Sequence, residues 1–305
     1  MKSIKVARVI AYGGLGNQLF QYSFAHYLTA KYESVILENT GLEFRNCQYM
    51  LKDLQGTCKK LKFNTHRTLS YDNMFARVLL KTKISPTYSN ILLKNKSFKN
   101  TYEGVKINSF DPQIIDNENF NMTYRGVWSH WRYMYPNKSI ILGELNQFLN
   151  TGIKKHQLER EGPIAVIHVR RSDYTHHKNI NNYGIIPLNY FENKIKEIIK
   201  SDKKIKIVTI TDDKHRLKYE LPSKLFGDIL NPSDCSSWQA MSLMSSARYV
   251  VASNSTFSWW GSVLALENGG KAYAPSRYFK AIDIKDALDF PGLLKYENEL
   301  VNKLK

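Results

Sequence analysis

Cysteine is scarce in this sequence, and no two cysteines lie at the spacing of a known disulfide or metal-binding motif. The three cysteines, Cys47, Cys58 and Cys235, are an odd number and form no C-x-x-C motif. This pattern argues against a disulfide framework and against a cysteine-based zinc site. It is typical of a protein that resides in a reducing compartment.

Long apolar runs are also absent. No stretch of the sequence approaches the roughly 20 consecutive apolar residues that a membrane-spanning helix needs. The apolar run near the amino terminus is interrupted by Arg8 and ends at Gly13 and Gly14, so it indicates a buried strand and not a signal peptide. We therefore expect a cytoplasmic protein that, where a membrane is involved, lies against its inner face.

Acidic residues are few compared with basic ones. The chain carries 27 Asp and Glu against 44 Lys and Arg, which gives a net charge of +17. Such an excess favours polyanions, anionic substrates or an acidic membrane surface as partners. Composition does not distinguish these partners, so the choice among them depends on the sequence motifs.

What the sequence does contain is an alternation of strand-like and helix-like segments over 305 residues. This alternation predicts an α/β protein with parallel sheets covered by helices, and the length is enough for about two domains. The first β-α-β unit is predicted from the strand Val6–Tyr12, a helix with Phe20, Phe24, Tyr27 and Leu28 on one face, and the strand Val35–Leu37. The polar stretch Glu159–Gly162 before Pro163 predicts a boundary between domains of residues 1–160 and 161–305.

Three apolar strands in the second half end abruptly in polar residues. The strand Ile164–Val169 leads into Arg170–Asp173, Ile205–Ile210 leads into Thr211–Asp213, and Arg248–Ala252 leads into Ser253–Ser255. Continuous apolar strands are typical of a parallel sheet that is buried on both faces. Ligands of such sheets bind beyond the carboxyl ends of the strands. We therefore predict that the three polar clusters converge on one crevice.

Helices are predicted between these strands. Pro187 opens a helix over Leu188–Lys200, and Asp234 is a candidate cap for a helix over Ser236–Ala247. A last helix begins after Ser255 and stops at Gly269 and Gly270.

The first polar cluster contains the strongest candidates for an anion site. Its sequence is His168-Val-Arg170-Arg171-Ser-Asp173, and a guanidinium fork matches phosphate oxygens in bidentate fashion. Residues alternate faces along a strand, so His168 and Arg170, which share a parity, are predicted to face the crevice. Arg171 would then pair with Asp173 or pack structurally. A surface ion pair at a strand end is the alternative interpretation of the whole motif.

The other two clusters admit both functional and structural interpretations. The turn Ser253–Gly261 leads into a helix, whose amino terminus attracts anions, although an ordinary N-cap has the same composition. Asp212 and Asp213 could accept hydrogen bonds from a ribose or a guanine edge, could bind Mg²⁺, or could form a polar turn. Trp259 and Trp260 are more typical of a core than of a ligand platform.

The glycine turn Gly13–Gln18 opens the first helix. It is not a dinucleotide fingerprint, because Leu19 occupies the place of the third glycine, and it lacks the lysine of a P-loop. Tight packing of the strand against the helix explains it equally well. His176 and His177 are adjacent, which makes a poor metal pair, and no nucleophile elbow is present.

Four of these motifs together resemble the bacterial α-1,2-fucosyltransferases. They are GGLGNQLFQYSFAHYL at 13–28, HVRRSD at 168–173, TDD at 211–213 and SNSTFSWWGSVLA at 253–265. The resemblance implies a glycosyltransferase-B fold, in which two Rossmann-like domains face a central cleft and the carboxyl-terminal one binds the donor. It also implies an inverting transfer of L-fucose from GDP-fucose to the 2-hydroxyl of a terminal galactoside, without metal or cofactor, in surface polysaccharide or O-antigen synthesis.

The resemblance also assigns roles to the matching positions. Arg170 would bind the pyrophosphate and His168 would lie near the nucleoside, and both are candidates for catalysis. Asp212 would recognise the guanine or ribose, Asn254, Ser255 and Thr256 would surround the β-phosphate, and Gly14, Asn17 and Gln18 would line the cleft from the amino-terminal side. The remaining donor-side candidates are Arg171, Asp173, Asp213 and Phe257.

One segment departs from the pattern of these transferases. They often carry Gly-aromatic-x-Gln/Ser-Glu-Lys-Tyr in the middle of the chain, where this sequence has Gly126-Val-Trp128-Ser-His-Trp131-Arg132-Tyr133. The basic position is kept as Arg132 and the acidic one is lost. Trp128, Trp131 and Tyr133 are the candidates for contact with a galactose-terminated acceptor, which lipid carriers often hold at the membrane.

Two other functions remain open from the sequence. A fucosyltransferase of another linkage, such as α-1,6, shares an H-x-R-R motif. A nucleic-acid-binding protein would explain the charge of +17 and the 12% of aromatic residues, but the basic residues are spread along the chain instead of forming one basic helix. The sequence therefore favours the transferase without a nucleic-acid partner.

Overall fold

The computed structural model describes residues 5–39, 48–54, 56–64, 100–103, 109–116, 121–215, 217, 225–281, 284 and 286–302. Cys47 and most of the segment between Gln55 and Asn100, in which the sequence shows no motif, lie outside these residues. Contacts divide the chain into two compact units, Met1–Ile141 and Leu142–Lys305. The boundary after residue 160 remains a prediction from the sequence.

The described part of the first unit is built on a sheet of parallel strands. The strands are β1 (Val6–Ile10), β2 (Ser34–Glu38), β3 (Leu61–Asn64), β4 (Asn100–Glu103) and β5 (Asn121–Arg125). Their order across the sheet is β3-β2-β1-β5-β4, and every pair is parallel. The predicted first β-α-β unit is confirmed, with helix α1 at Leu15–Leu28 between β1 and β2.

Helix α1 begins at the glycine turn and is more deeply buried than the sequence pattern indicated. Gly13 has a φ of +80°, which favours glycine, and Gly14 is the N-cap of the helix. The prediction of a single apolar face was too narrow, because residues on every side of the helix are buried, including Gln18, Gln21 and Ser23. A buried amide needs hydrogen-bond partners, and these glutamines find them in neighbouring loops.

The second unit contains a larger parallel sheet. Its strands are β6 (Ile164–Val169), β7 (Lys206–Thr211), β8 (Asp228–Leu230), β9 (Tyr249–Val251), β10 (Lys271–Pro275) and β11 (Leu294–Tyr296), in the order β11-β10-β9-β6-β7-β8. All six residues of β6 are buried, as a strand covered on both faces requires. The three predicted strands are therefore confirmed, with β7 displaced by one residue and β9 shorter.

Helices connect the strands of this sheet. Short α2 (Trp131–Met134), which belongs to the first unit, and α3 (Lys138–Thr151) come before β6 in the chain. Between the strands of the second sheet come α4 (His177–Tyr183), α5 (Leu188–Ser201), α6 (Ser237–Ser245) and α7 (Thr256–Glu267). Pro187 is the N-cap of α5, as predicted. The cap predicted for α6 was wrong: the Ser236 hydroxyl accepts the Gln239 N–H at 3.2 Å, and Asp234 instead accepts from Asn231 and Lys214.

The last described residues return to the loop that follows α4. Ile185 and Val301 form an antiparallel bridge with N–H···O distances of 2.8 and 3.0 Å. The neighbouring Gly184 has a φ of +68°, and a Cβ atom there would stand 2.8 Å from the Cβ of Leu300. A glycine is therefore needed where the end of the chain crosses this loop.

In the described parts of the chain, no helix has the length and hydropathy of a membrane span.

Candidate active site

The polar clusters after β6, β7 and β9 meet at the carboxyl edge of the second sheet, as predicted. Strand β6 lies between β9 and β7, so the residues that follow these three strands are neighbours. The Arg170 N–H donates to the Ser253 hydroxyl at 3.4 Å, and the Arg171 N–H donates to Oδ1 of Asp212 at 2.8 Å. These two bonds connect the cluster on β6 to the clusters on β9 and β7.

Arg170 is the positive charge at the centre of this edge. Its Nη2 bonds Oδ1 of Asp173 at 2.5 Å, and its Nη1 lies 2.9 Å from Oδ2 of Asp212. The guanidinium side chain is 30% exposed, so it is held in place and still accessible from solvent. Burial alone would lower the pKa of Arg170, but Asp212 and Asp173 raise it above its ordinary value, which keeps the guanidinium charged.

The two carboxylates that hold Arg170 differ in their surroundings. The Asp212 side chain is 14% exposed and also receives the backbone N–H of Arg171, whereas the Asp173 side chain is 48% exposed. Burial raises the pKa of Asp212, and the charge of Arg170 opposes that shift. Asp212 is therefore the fixed partner of the arginine, and Asp173 is the partner open to solvent.

Arg171 faces the opposite way, as the alternation along the strand predicts. Its side chain is fully buried, and its Nη1 donates to the carbonyl oxygen of Arg170 at 2.9 Å. Of the two roles predicted for it, packing is confirmed and pairing with Asp173 was wrong, since Asp173 pairs with Arg170. A fully buried side chain also gives no surface to a donor, which corrects its place among the donor-binding candidates.

His168 lies behind Arg170 on the same strand and is almost completely buried, with 4% of its surface exposed. Its ring is 5.5 Å from the ring of Phe257, which lies on α7. Burial, assisted by the charge of Arg170, lowers the pKa of His168 to about 3. The imidazole is therefore neutral at physiological pH and offers hydrogen bonds instead of a proton-accepting base.

The turn between β9 and α7 is held together by Asn254. The side-chain NH₂ of Asn254 donates to the carbonyls of Tyr183, Gly184 and Tyr278 at 3.2–3.4 Å. Asn254 was expected among the phosphate ligands, but its amide instead connects three backbone segments. Ser255 accepts the Phe257 N–H at 3.2 Å and caps α7.

The remaining two residues of this group have different positions. Thr256 is the first residue of α7, where helical N–H groups lack intrahelical partners. Asp213 begins the next turn, because its carbonyl accepts the N–H of Leu217 at 3.1 Å.

The donor-side candidates of the first unit lie at the start of α1. Gly14 is exposed and Asn17 is half-buried. The Gln18 side chain is fully buried: its NH₂ donates to the carbonyls of Gly13 and Gln48 at 2.8 and 2.9 Å, and its oxygen accepts the Met50 N–H. Gln18 therefore supports the glycine turn, which corrects its expected contact with a ligand.

The acceptor candidates divide into core and surface residues. Trp128 stacks on Phe24 with ring centroids 3.9 Å apart, and the hydroxyl of the buried Tyr133 accepts the Asp111 N–H at 2.9 Å. Both are core residues, which corrects their assignment to the acceptor. Trp131 is half-buried, with its ring 5.2 Å from that of the exposed Tyr135.

Sequence reasoning missed Tyr174 at this site. Its ring lies against Arg170, whose Cζ is 5.2 Å from the ring centroid, and its hydroxyl donates to the carbonyl of Asn254 at 3.0 Å. The available signal was its position directly after Asp173. Among the described residues, no group of three His, Cys, Asp or Glu side chains is placed to hold a metal ion.

Comparison with known proteins identifies the class to which this fold and site belong. The profile of glycosyl transferase family 11 matches residues 6–281. Among solved structures, ADP-heptose lps heptosyltransferase II of E. coli superposes with a TM-score of 0.52 over 98% of this chain and 92% of that one, at 11% identity. The α/β glycosyltransferase-B type of fold is thereby confirmed.

The chain belongs to glycosyl transferase family 11 and is a glycosyltransferase. It is 25% identical over 297 residues to an alpha-1,2-colitosyltransferase of Escherichia coli, and the alignment covers 91% of this chain and 93% of that protein. It is 26% identical over 292 residues to the O-antigen biosynthesis glycosyltransferase WbnK of Escherichia coli, with 88% and 93% covered.

Proposed function

We propose that the protein transfers L-fucose from GDP-fucose to the 2-hydroxyl of a terminal galactoside, with inversion, during O-antigen synthesis. The observation that carries the proposal is the accessible guanidinium of Arg170 at the point where the clusters after β6, β7 and β9 meet. Ligands of parallel sheets bind at this edge, and a guanidinium is suited to a diphosphate. The family and the names of the relatives support a donor that carries fucose or the related sugar colitose, and a role in O-antigen synthesis.

In the proposed reaction, the bond between C1 of fucose and the β-phosphate oxygen breaks, and its electron pair leaves with GDP. The acceptor oxygen attacks C1 from the opposite face, which inverts that centre. Negative charge grows on the β-phosphate as the bond breaks, so the fixed charge of Arg170 stabilises the transition state more than the ground state. Because its lowered pKa keeps the imidazole of His168 neutral, it does not repel the positive charge that grows on the sugar. For the same reason it does not act as a second cation for the phosphate.

The proton of the acceptor hydroxyl has two routes in this scheme. A base can take it, or the departing phosphate can take it directly. Asp173, whose side chain is 48% exposed, is the base candidate with access to solvent. His168 is a poor candidate, because burial lowers its pKa to about 3.

We propose that no metal or other cofactor takes part, because Arg170 can supply the positive charge that Mg²⁺ provides at other phosphate sites. The main experiment is a panel of nucleotide sugars assayed with EDTA and simple galactosides, followed by linkage analysis of the product. Transfer from GDP-fucose to O2 in the presence of EDTA is the expected result. Product with an α-1,6 linkage would replace the acceptor assignment, and activity restored only by Mg²⁺ would overturn the metal assignment.

A second donor is favoured by the similarity to an alpha-1,2-colitosyltransferase. Colitose is 3-deoxyfucose, so the two donors differ by one hydroxyl group. A site built to bond that hydroxyl rejects the analogue that lacks it by roughly 10⁴-fold, whereas an apolar contact at C3 discriminates far less. The ratio of kcat/KM for GDP-fucose and GDP-colitose in the same panel therefore decides between the two donors.

We also propose that the protein works in the cytoplasm, peripherally at the inner face of the plasma membrane. The net charge of +17 suits an anionic surface, where each well-placed basic residue contributes about 1 kcal/mol. Tyr135 and Ile140 are 53% and 48% exposed, near the exposed Arg132, and aromatic side chains favour the lipid interface.

This location is tested by sedimentation with vesicles of neutral lipid, with and without anionic lipid. The double variant Tyr135→Ser/Ile140→Ser should lose much of its binding to anionic vesicles, whereas Ile199→Ser, at a site 36% exposed on α5, should keep it. Binding that is equal with and without anionic lipid would reject the proposal.

A further inference from the structure

Tyr174 contacts both arms of the candidate donor site. It follows Asp173 in a single 3-10 turn, Asp173–Thr175, directly after the strand end that carries Arg170. The Cζ of Arg170 lies 5.2 Å from the centroid of its ring. Its hydroxyl donates to the carbonyl of Asn254 at 3.0 Å, on the turn that leads into α7. One side chain therefore touches the charged group on β6 and the backbone beyond β9.

The ring of Tyr174 is itself fixed from a third direction. The ring of Tyr183 stacks on it with a centroid distance of 4.6 Å and an interplanar angle of 12°, and Phe279 lies 5.5 Å beyond Tyr183. The amide of Asn254 bonds the carbonyl of the same Tyr183 at 3.2 Å. Burial raises the pKa of Tyr174, so its hydroxyl stays protonated and keeps donating to Asn254.

The arginine needs such support when a diphosphate arrives. Asp173 is the solvent-exposed partner of Arg170, so a phosphate that takes the Nη2 hydrogens has to displace it. After that exchange, Asp212 and the ring of Tyr174 still hold the guanidinium. An arginine side chain carries a large rotamer entropy, which the ring face reduces before the ligand binds.

We propose that Tyr174 is a positioning residue for the donor diphosphate, which holds the guanidinium of Arg170 against the β9–α7 turn. The ring face supports the cation, and the hydroxyl fixes the distance between the two phosphate-binding segments. The inference rests on the proposed function, because it assumes that Arg170 binds the diphosphate of a GDP-sugar. It adds to that function a residue whose effect is transmitted through Arg170.

The test is a double-mutant cycle read by calorimetric binding of GDP. Tyr174→Leu removes the ring and should weaken GDP binding about tenfold, and Tyr174→Phe keeps the ring and should weaken it about threefold or less. In the Arg170→Ala background, Tyr174→Leu should weaken GDP binding by no more than about threefold, because the cation that the ring supports is gone and only the lost hydroxyl bond to Asn254 still counts. In the wild-type background, the same substitution should also lower kcat with GDP-fucose, since the guanidinium would no longer be aimed at the β-phosphate.

The matched control is Tyr296→Leu, which removes another ring that faces a cation: Lys194 Nζ lies 4.2 Å from its centroid. This variant should bind GDP as the wild type does, and thermal unfolding of every variant checks the fold. If Tyr174→Leu weakens GDP binding equally with and without Arg170, or does not weaken it, the inference is wrong.

The conservative variant keeps the inference testable if Tyr174→Leu does not fold. In that case a Tyr174→Phe variant that weakens GDP binding tenfold would overturn the role of the ring. If Arg170→Ala itself leaves GDP binding unchanged, the proposed donor site fails, which is a separate outcome.

Discussion

Two carboxylates hold the guanidinium of Arg170 in place at the candidate site. Asp212 and Asp173 both pair with it, and only Asp173 is well exposed. Under the proposed function, the phosphate would replace the exposed Asp173, and Asp212 would keep the guanidinium oriented.

Arg170→Ala should lower kcat/KM for GDP-fucose at least a hundredfold. A diphosphate bound as proposed would cover the guanidinium, and removing one partner of such a buried charge pair costs about 3–5 kcal/mol. Each tenfold in rate corresponds to about 1.4 kcal/mol. Arg170→Lys should recover little, because an ammonium lacks the planar fork. Arg248→Ala is the matched control, since Arg248 forms an ion pair with Asp202 on the surface. Near-normal turnover of Arg170→Ala would reject its assignment.

His168 should make the protein sensitive to acid. Its pKa is about 3 in the folded protein and 6.5 in the unfolded chain, so below pH 6.5 the unfolded state binds the additional proton. Its contribution to the free energy of unfolding is complete above pH 6.5 and falls by about 2 kcal/mol at pH 5.

Urea unfolding of the wild type and of His168→Gln between pH 5 and 7.5 measures this effect. The variant should lose that part of the pH dependence, although it is less stable throughout. Parallel pH profiles for the two proteins would contradict the buried, neutral imidazole.

The orientations of the side chains at the end of β6 and directly after it could be predicted because residues alternate faces along an extended segment. This alternation placed His168 and Arg170 on one face and Arg171 on the other. The role of Asn254 could not be predicted, because its partners are carbonyls at positions 184 and 278, far away in the sequence. Gln18 was misassigned for a related reason. A buried amide that bonds the backbone cannot be distinguished in the sequence from an amide that binds a ligand.

Helices α6 and α7 pack closely because a glycine lies at their contact. A Cβ atom on Gly261 of α7 would stand 2.5 Å from Sδ and 2.8 Å from Cβ of Met244 of α6. Gly143, in the interior of α3, has no atom within 4 Å of the corresponding position. The two helical glycines therefore have different reasons to be there.

Gly261→Ala and Gly143→Ala should change stability in opposite directions. The first forces side chains apart in a packed contact and should cost about 1–3 kcal/mol of unfolding free energy. The second adds only helix propensity and should gain about 0.5–1 kcal/mol. Urea unfolding of both variants measures the difference. Equal changes of the same sign would contradict the packing described for α6 and α7.

The strands β6, β7 and β9 of the second sheet were predicted because burial on both faces leaves continuous apolar runs, whereas β8, β10 and β11 were not predicted. Helix α1 was described too narrowly, since its buried glutamines and serine imitate a polar face. The start of α6 could have been found, because Ser236 and Gln239 have the spacing of a capping box. Asp234, two residues earlier, is also a common type of cap residue, but it accepts from Asn231 and Lys214 instead.

At the scale of the whole molecule, the charge of +17 is a general property and not part of the site. At the candidate site, the guanidinium of Arg170 is already paired with the carboxylates of Asp212 and Asp173. An anion that binds Arg170 would have to displace a carboxylate, whereas the total charge acts on any anionic surface.

Binding to duplex DNA should accordingly be weak, nonspecific and easily removed by salt. Filter binding over a salt series should show the affinity falling by about 10³ or more between 50 and 200 mM, and GDP should not compete. If the affinity persists at 200 mM salt, or depends on the base sequence of the duplex, the protein has a nucleic-acid-binding function and this expectation is wrong.

The antiparallel bridge between Ile185 and Val301 has a practical consequence for anyone who handles the enzyme. It holds Val301 against the loop whose carbonyls receive the amide of Asn254. Proteolysis just before Leu300 would therefore remove the partner of this loop and loosen the contacts of Asn254. A preparation should be checked for such cleavage before its activity is compared with that of the intact protein.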